Sequence, residues 1–292
     1  MSTKIVITGS TGFVGSHIVE YFMQNSNEEI TCIPSCRDKS KLPKYYQNIC
    51  IQGDITDKKT ISQLTSNTDV ICHTASWAEM NGTLKASQEN YLSPTITLID
   101  EAIKKGVKRF VFISAINSNP IEQNRLHTNL PLEKIWPHYD TIMKIENYLK
   151  SVSNQIQAVI LRVGFFTGKN YSLGLLPILL PRLKTHLVPW LENGNTSVPL
   201  INGKDIAQAF YLATTIPLKE KVYTIDIVGD EIPKAKDVFN YLHTEYDYPL
   251  PFYSVSFGIA YFVARFMRFV YKITPYDPLL VPAVVLLLED KL

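Results

Sequence analysis

The chain has 292 residues, 46 % hydrophobic and 19 % charged, which excludes a disordered polymer and leaves room for one large domain or two small ones. A formal net charge of +2 gives no global electrostatic case for nucleic acid, whose binders carry a basic patch or stripe. No uncharged segment reaches the length of a membrane span, and Met1-Ser2-Thr3 runs straight into an apolar strand, so no leader is expected and a cytoplasmic location is.

The first predicted strand, from Lys4 to Thr8, runs into Gly9-Ser10-Thr11-Gly12-Phe13-Val14-Gly15, and a helical pattern (Phe13, Val14, Ile18, Val19, Phe22) follows at once. Strand, glycine-spaced turn and helix in this order form a phosphate cradle. Gly9 allows the tight exit, Gly12 a close backbone approach to a pyrophosphate, and Gly15 close helix–strand packing, while the first helical amides face the charge. A second strand, Glu29 to Cys36, ends at Arg37-Asp38-Lys39-Ser40-Lys41, where a dinucleotide fold meets the adenosine ribose. An acid there accepts from a 2′-hydroxyl, whereas Arg neutralises a 2′-phosphate. Arg37, backed by Lys39 and Lys41, favours NADP, and Asp38 keeps NAD open.

A third strand is predicted at Asn48 to Gln52, followed by Gly53-Asp54 and a helix capped by Thr56 or Asp57. Asp54 is placed to reach the adenine amino edge. A fourth strand begins at Asp69 and leaves through Thr74, Ala75 and Ser76, small residues suited to a cofactor lying across them. His73, at its end, fits a packed core histidine better than a catalytic one. A helix is expected over 89–105, stopped by Gly106, and then a continuously apolar fifth strand, Lys108 to Ser114, as in a buried parallel sheet. A proline-punctuated loop (115–137), a helix over 139–152 and a sixth strand over 156–163 complete the alternation. Together they predict an α/β, doubly wound parallel sheet of Rossmann type, with ligand at the carboxyl ends of its strands.

The dinucleotide-binding domain is placed at 1–167, with 198–230 returning to it, and a smaller, mainly helical substrate region at 168–292. Residues 168–198 are rich in Leu, Pro and Gly. Helices are expected from Asn202 to Thr215 and Pro233 to Glu245, with a strand at Val222–Val228 between them. From Tyr253 to Ile273 the sequence is apolar and aromatic apart from Arg265, Arg268 and Lys272, which share one helical stripe. Three roles fit: a substrate cover, a helix in a membrane interface, or a partly buried helix with a solvated basic edge. The four cysteines (Cys32, Cys36, Cys50, Cys72) lack zinc-type spacing and fit reduced, buried thiols, so no metal is expected.

Thr8-Gly9-x-x-Gly12-x-x-Gly15, Gly53-Asp54, His73-x-Ala75, Asn90, Val107 to Ser114, Lys144-x-Glu146 and Val198 to Ala207 together resemble the extended short-chain dehydrogenase/reductase superfamily, of NAD-dependent epimerase/dehydratase type. The aromatic carboxyl-terminal part is most similar to 3β-hydroxysteroid dehydrogenase and dihydroflavonol reductase members. Such relatives continue beyond the point matching Leu292, so the chain is expected to be short at its end. The resemblance implies hydride transfer at C4 of a nicotinamide, with a Tyr acid/base, a Lys four residues later and a Ser or Thr after the fifth strand. It also implies cofactor contacts from Ile55, Asn90, Lys144, Val163 and Phe166, and a homodimer through the helices flanking the fifth strand.

The register departs where the chemistry sits. Lys144 puts the family's Tyr position at Asp140, and the neighbouring phenol is Tyr139, five residues from Lys144 and about 140° around a regular helix instead of about 40°. A distorted first turn after Pro137 would be needed to swing Tyr139 inward. Asp140 as a carboxylate accepts and cannot donate to a carbonyl oxygen. Ser114 is present, but Ala115 stands where relatives often carry a second serine, with Ser118 a weak substitute. Three functions remain: an NADP-dependent oxidoreductase of a bulky apolar alcohol or ketone using Tyr139, Lys144, Ser114 and Asp140; a catalytically lapsed NADP-binding sensor or assembly protein; or a nucleotide-sugar epimerase or dehydratase.

Overall fold

A computed structural model describes residues 2–79, 82–118, 136–168, 175–271 and 280–289. Most of the loop at 115–137, Lys272 of the basic stripe and parts of 168–198 and of the tail lie outside these. Seven strands, β1 (Thr3–Thr8), β2 (Ile30–Cys36), β3 (Ile51–Gln52), β4 (Val70–His73), β5 (Arg109–Ala115), β6 (Gln157–Val163) and, later in the chain, β10 (Val222–Ile227), form one sheet in the order β3-β2-β1-β4-β5-β6-β10. Every pairing is parallel, and the strand order reverses between β1 and β4, where such sheets bind ligands. Two short parallel pairs stand apart from this sheet: β7 (Phe165–Thr167) with β9 (Leu200–Asn202), and β8 (Trp190–Leu191) with β11 (Ser254–Val255), which follows β10 in the chain.

Alternation along each strand fills two cores. Ile5 and Ile7 of β1 face the helices Phe13–Asn25 and Gly203–Thr215 through Ile18, Phe22, Ile206 and Phe210. Val6 points the other way, toward Leu64, Leu98, Ile145 and Leu149 of the helices Lys58–Thr65, Ser93–Lys104 and Pro137–Ser151. With both faces covered, the central strands are mostly apolar.

Local chemistry explains the boundaries. Asp57 caps its helix by accepting from the amides of Lys59 and Thr60. Gly106, at φ +75°, closes the Ser93–Lys104 helix, and the Val107 amide reaches back to the Ala102 carbonyl. Two expectations need correction. The third strand shrinks to Ile51–Gln52 because it is the sheet edge and pairs only with Ser35 and Cys36. The helix expected at 89 starts at Leu84 under a Thr83 cap and passes through a π turn at Gln88–Leu92. That wider turn accommodates Pro94, which has no N–H to give, inside a continuous helix. The four cysteines are free thiols, and burial pushes those of Cys32 and Cys36 up to about 12.

A close backbone approach fixes the first turn. A Cβ on Gly15 would stand 2.2 Å from the Gly9 carbonyl oxygen, backbone that cannot move aside. A Cβ on Gly258, in the exposed face of a later helix, would meet nothing within 4 Å. Gly15→Ala is therefore expected to lower stability by about 1–3 kcal/mol through overpacking, and Gly258→Ala to raise it by up to about 1 kcal/mol. Urea melts of both variants check this; equal effects would contradict the packing argument.

Candidate active site

The carboxyl ends of β1, β2, β4 and β5 converge on the turn after β1. Gly9 takes φ +70°, and a Cβ there would lie 2.7 Å from the Ala75 amide nitrogen, so the β1 turn lies directly against the exit of β4. Thr8 makes that junction. Its Oγ1 accepts from the amides of Thr74 and Ala75 and contacts His73 Nδ1 at 2.9 Å, while Thr74 Oγ1 donates to the Thr8 carbonyl. With its lone pairs so used, the Thr8 proton goes to Nδ1, and His73 carries its own proton on Nε2, 3.0 Å from Thr95 Oγ1. Burial holds the His73 pKa down at about 3. His73 is a neutral core strut.

Ser10 is likewise a strut. Its hydroxyl donates to the Ile7 carbonyl and accepts from the Ser35 amide, and its own amide bonds the Ser35 carbonyl. Both its polar groups thus tie β1 to β2 instead of facing a phosphate. Thr11, Gly12 and Phe13 are more open, at the start of the Phe13–Asn25 helix, where the first amides have no helical acceptor. Val14 and Gly15 are buried beneath them. Phe13 stacks on Phe166 of β7, ring centroids 5.5 Å apart, and Val163 is buried at the end of β6. This cradle, closed to any Cβ at Gly9 and Gly15, fits a dinucleotide pyrophosphate.

At the ribose end Arg37 is exposed just past β2, whereas Asp38 folds back, its Oδ1 accepting from the amide and hydroxyl of Ser40. Asp54 accepts from Thr56 with one oxygen, and Ile55 beside it is half-buried. Ser76 is exposed beyond β4. Asn90 is exposed on the π turn, its side-chain amide donating to the Ala86 carbonyl.

Among the catalytic candidates, Asp140 and Lys144 meet, whereas Ser114 is engaged elsewhere. Asp140 and Lys144 pair at 2.7 Å on the more open side of the Pro137–Ser151 helix. That helix starts at Pro137, and the Tyr139 amide donates to the Trp136 carbonyl at 3.0 Å in its first turn. Tyr139 is buried with Trp136, Val281 and Leu286, against Ala115 and Phe165. Ser114 Oγ donates to Glu146 Oε1 at 2.5 Å. Ser118 Oγ lies 2.7 Å from the same oxygen, and Arg162 clasps both carboxylate oxygens at 3.0 and 2.7 Å. Ser114 is thereby turned inward and cannot also donate to a substrate oxygen.

This buried cluster was missed from the sequence, although it left a signal: Glu146 falls on the apolar stripe Ile142, Ile145 and Leu149, and Arg162 interrupts an apolar strand. Burial pushes the Glu146 carboxyl up, but the bonds from Arg162, Ser114 and Ser118 outweigh it and hold the pKa below its ordinary 4.5.

A family model, NAD dependent epimerase/dehydratase family, matches residues 5–226. Photosystem II assembly factor Ycf39 of Guillardia theta is 27 % identical over 230 residues, covering 77 % of this chain and 65 % of that protein. A 3 beta-hydroxysteroid dehydrogenase/Delta 5-->4-isomerase of Mycobacterium tuberculosis is 29 % identical over 119 residues, 38 % of this chain and 31 % of that protein. The chain thus spans less than two thirds of either relative. A UDP-N-acetylglucosamine 4-epimerase from Methanobrevibacter ruminantium M1 superposes with a TM-score of 0.67 at 19 % identity, over 87 % of this chain and 86 % of that one, a likeness of fold.

Glu146→Gln should cost about 3–5 kcal/mol near neutrality, because it removes the carboxylate that clasps buried Arg162 and leaves that cation, among the described residues, only Asp226, 3.9 Å away. The native carboxyl titrates below 4.5, so its stabilisation is complete above that pH and is lost as pH falls through the lower native value. The stability gap between wild type and variant should therefore narrow below pH 4.5. Urea melts across pH test this; a gap independent of pH would contradict it.

Proposed function

The chain belongs to the NAD dependent epimerase/dehydratase family, and from that premise we propose that it is an NADP(H)-dependent oxidoreductase acting on a bulky apolar alcohol or ketone. The observation that carries the cofactor reading is the division of labour after β2: Asp38 is committed to Ser40, and Arg37 is left exposed where an adenosine 2′-phosphate would lie. The substrate reading rests on the wall of Trp136, Tyr139, Phe165, Phe257 and Tyr261 gathered around Ala115 at the end of β5.

When bound, the nicotinamide supplies or accepts the hydride. Thr11, Gly12 and the first amides of the Phe13–Asn25 helix hold the pyrophosphate. Lys144 holds the ribose: its pair with Asp140 is 48 % exposed on the lysine side, worth no more than about 1 kcal/mol, and yields to a diol at little cost. Tyr139 gives or takes the proton at the substrate oxygen from within the aromatic wall.

A second reading, a dinucleotide-binding protein without turnover that serves as a sensor or assembly partner, is favoured by two specific observations. Ser114 faces Glu146, and Asp140 stands at the family's Tyr position. The similarity to an assembly factor along 77 % of the chain supports the same reading. An epimerase or dehydratase acting on a nucleotide sugar is disfavoured by the apolar wall.

Titration with NADPH and NADH, followed by a ketone and alcohol screen at the nicotinamide absorbance, separates these. Arg37→Ala should weaken NADPH by about tenfold or more, the loss of a charge-assisted bond, and leave NADH unchanged. Tyr139→Phe should abolish turnover with binding intact. Equal losses for both cofactors would remove the NADP reading, and binding without turnover on any substrate would move the conclusion to the second reading.

A further inference from the structure

The helix Phe257–Tyr271 buries one face and leaves the opposite one bare and apolar. Ala260 and Ala264 pack with Val285 of the helix Pro282–Glu289. At about 100° per residue, Ile259, Phe262, Phe266 and Phe269 fall together on the far side, 57 %, 72 %, 61 % and 61 % exposed. The solvated basic edge considered for this helix is therefore only part of its surface; the larger part is aromatic. A helix apolar on both sides is normally buried on both sides. Arg265 is exposed at the border of the bare face, and Arg268 follows it. No Asp or Glu occurs from residue 248 to 276.

We propose that this helix docks the protein on an anionic lipid surface, lying in the headgroup plane with Phe262, Phe266 and Phe269 among the acyl chains and Arg265 at the phosphates. Three arguments select this occupant. The described helix spans about 22 Å and its inner face is packed on the helix Pro282–Glu289, so what it offers a bilayer is one apolar face lying in the headgroup plane. The bare face is a ridge of large rings with a cationic border, the pattern of interfacial helices. A second copy seated on the same ridge would bring like cations to one seam, with no carboxylate in this stretch to offset them, whereas anionic headgroups satisfy both the rings and the charge.

The test is co-sedimentation of the full chain with phosphatidylcholine vesicles, with and without phosphatidylserine. Wild type should pellet with the anionic vesicles about tenfold better than with the neutral ones. Phe262→Ser with Phe266→Ser should lower anionic-vesicle binding by about tenfold or more. Arg265→Glu, which leaves the rings in place, should lower it similarly while leaving neutral vesicles unaffected. Dinucleotide titration of the same variants should be unchanged, which keeps this outcome separate from that of the proposed function. The proposal is overturned by failure to pellet with anionic vesicles, by equal binding to both vesicle types, or by a wild-type dimer in size-exclusion that the double Phe variant dissolves.

Discussion

The carbonyl oxygen of Gly9 occupies the space where a side chain on residue 15 would begin, 2.2 Å from the Cβ that glycine lacks. Through that one approach the first helix is fixed against β1, and its amino end is aimed at the gap where the strand order reverses. The second half of the junction is polar. Thr8 ties the end of β1 to the exit of β4 by accepting from two amides, and neutral His73 backs it from the core. A loose turn would let the helix amides drift from the phosphate position; here backbone contacts on one side and a saturated hydroxyl on the other leave no slack. The cradle is a consequence of packing, present before any ligand arrives.

That half of the molecule was legible because its signals are local. Glycine spacing, continuous apolar strands, the Asp57 cap and the Gly106 stop each act within a few residues, and the sheet follows from their order. The short third strand was overestimated because edge position is a property of the whole sheet. The π turn was hidden because nothing in the local spacing around Pro94 distinguishes it from a regular helix. At the active site, spacing along the helix correctly placed Asp140 beside Lys144. The fate of Ser114 was not legible, since it depends on Arg162, sixteen residues beyond Glu146 and on another element.

Magnitudes separate the two charged groups of that helix. Asp140–Lys144 is a partly exposed i, i+4 pair, contributing no more than about 1 kcal/mol, so a ligand can rearrange it. Glu146 is buried, with Arg162, Ser114, Ser118 and Lys150 all within reach of its two oxygens. Removing one member of such a set costs several kcal/mol, so Ser114 will not leave it to meet a substrate. The resulting site has a cation that can be recruited and a hydroxyl that cannot. On the proposed function, the proton at the substrate oxygen would come from a group outside the Ser–Tyr–Lys arrangement of the superfamily, and Tyr139 is the phenol that the same helix offers.

Tyr139 also ties the site to the carboxyl-terminal region. Its cluster includes Val281 and Leu286 and is extended by Phe257 and Tyr261, the inner edge of the helix whose outer face bears Phe262 and Phe266. One helix thus borders, on the proposals above, the substrate wall on one side and a lipid surface on the other. The two assignments constrain each other. A wall of aromatic side chains selects substrates that partition out of water, and such molecules concentrate in bilayers. A helix lying in the headgroup plane would hold the mouth of that wall at the depth where they are found, so docking would raise substrate encounter with no added contact in the site itself. A polar substrate would gain nothing from the same placement, which is a further physical reason to prefer an apolar one.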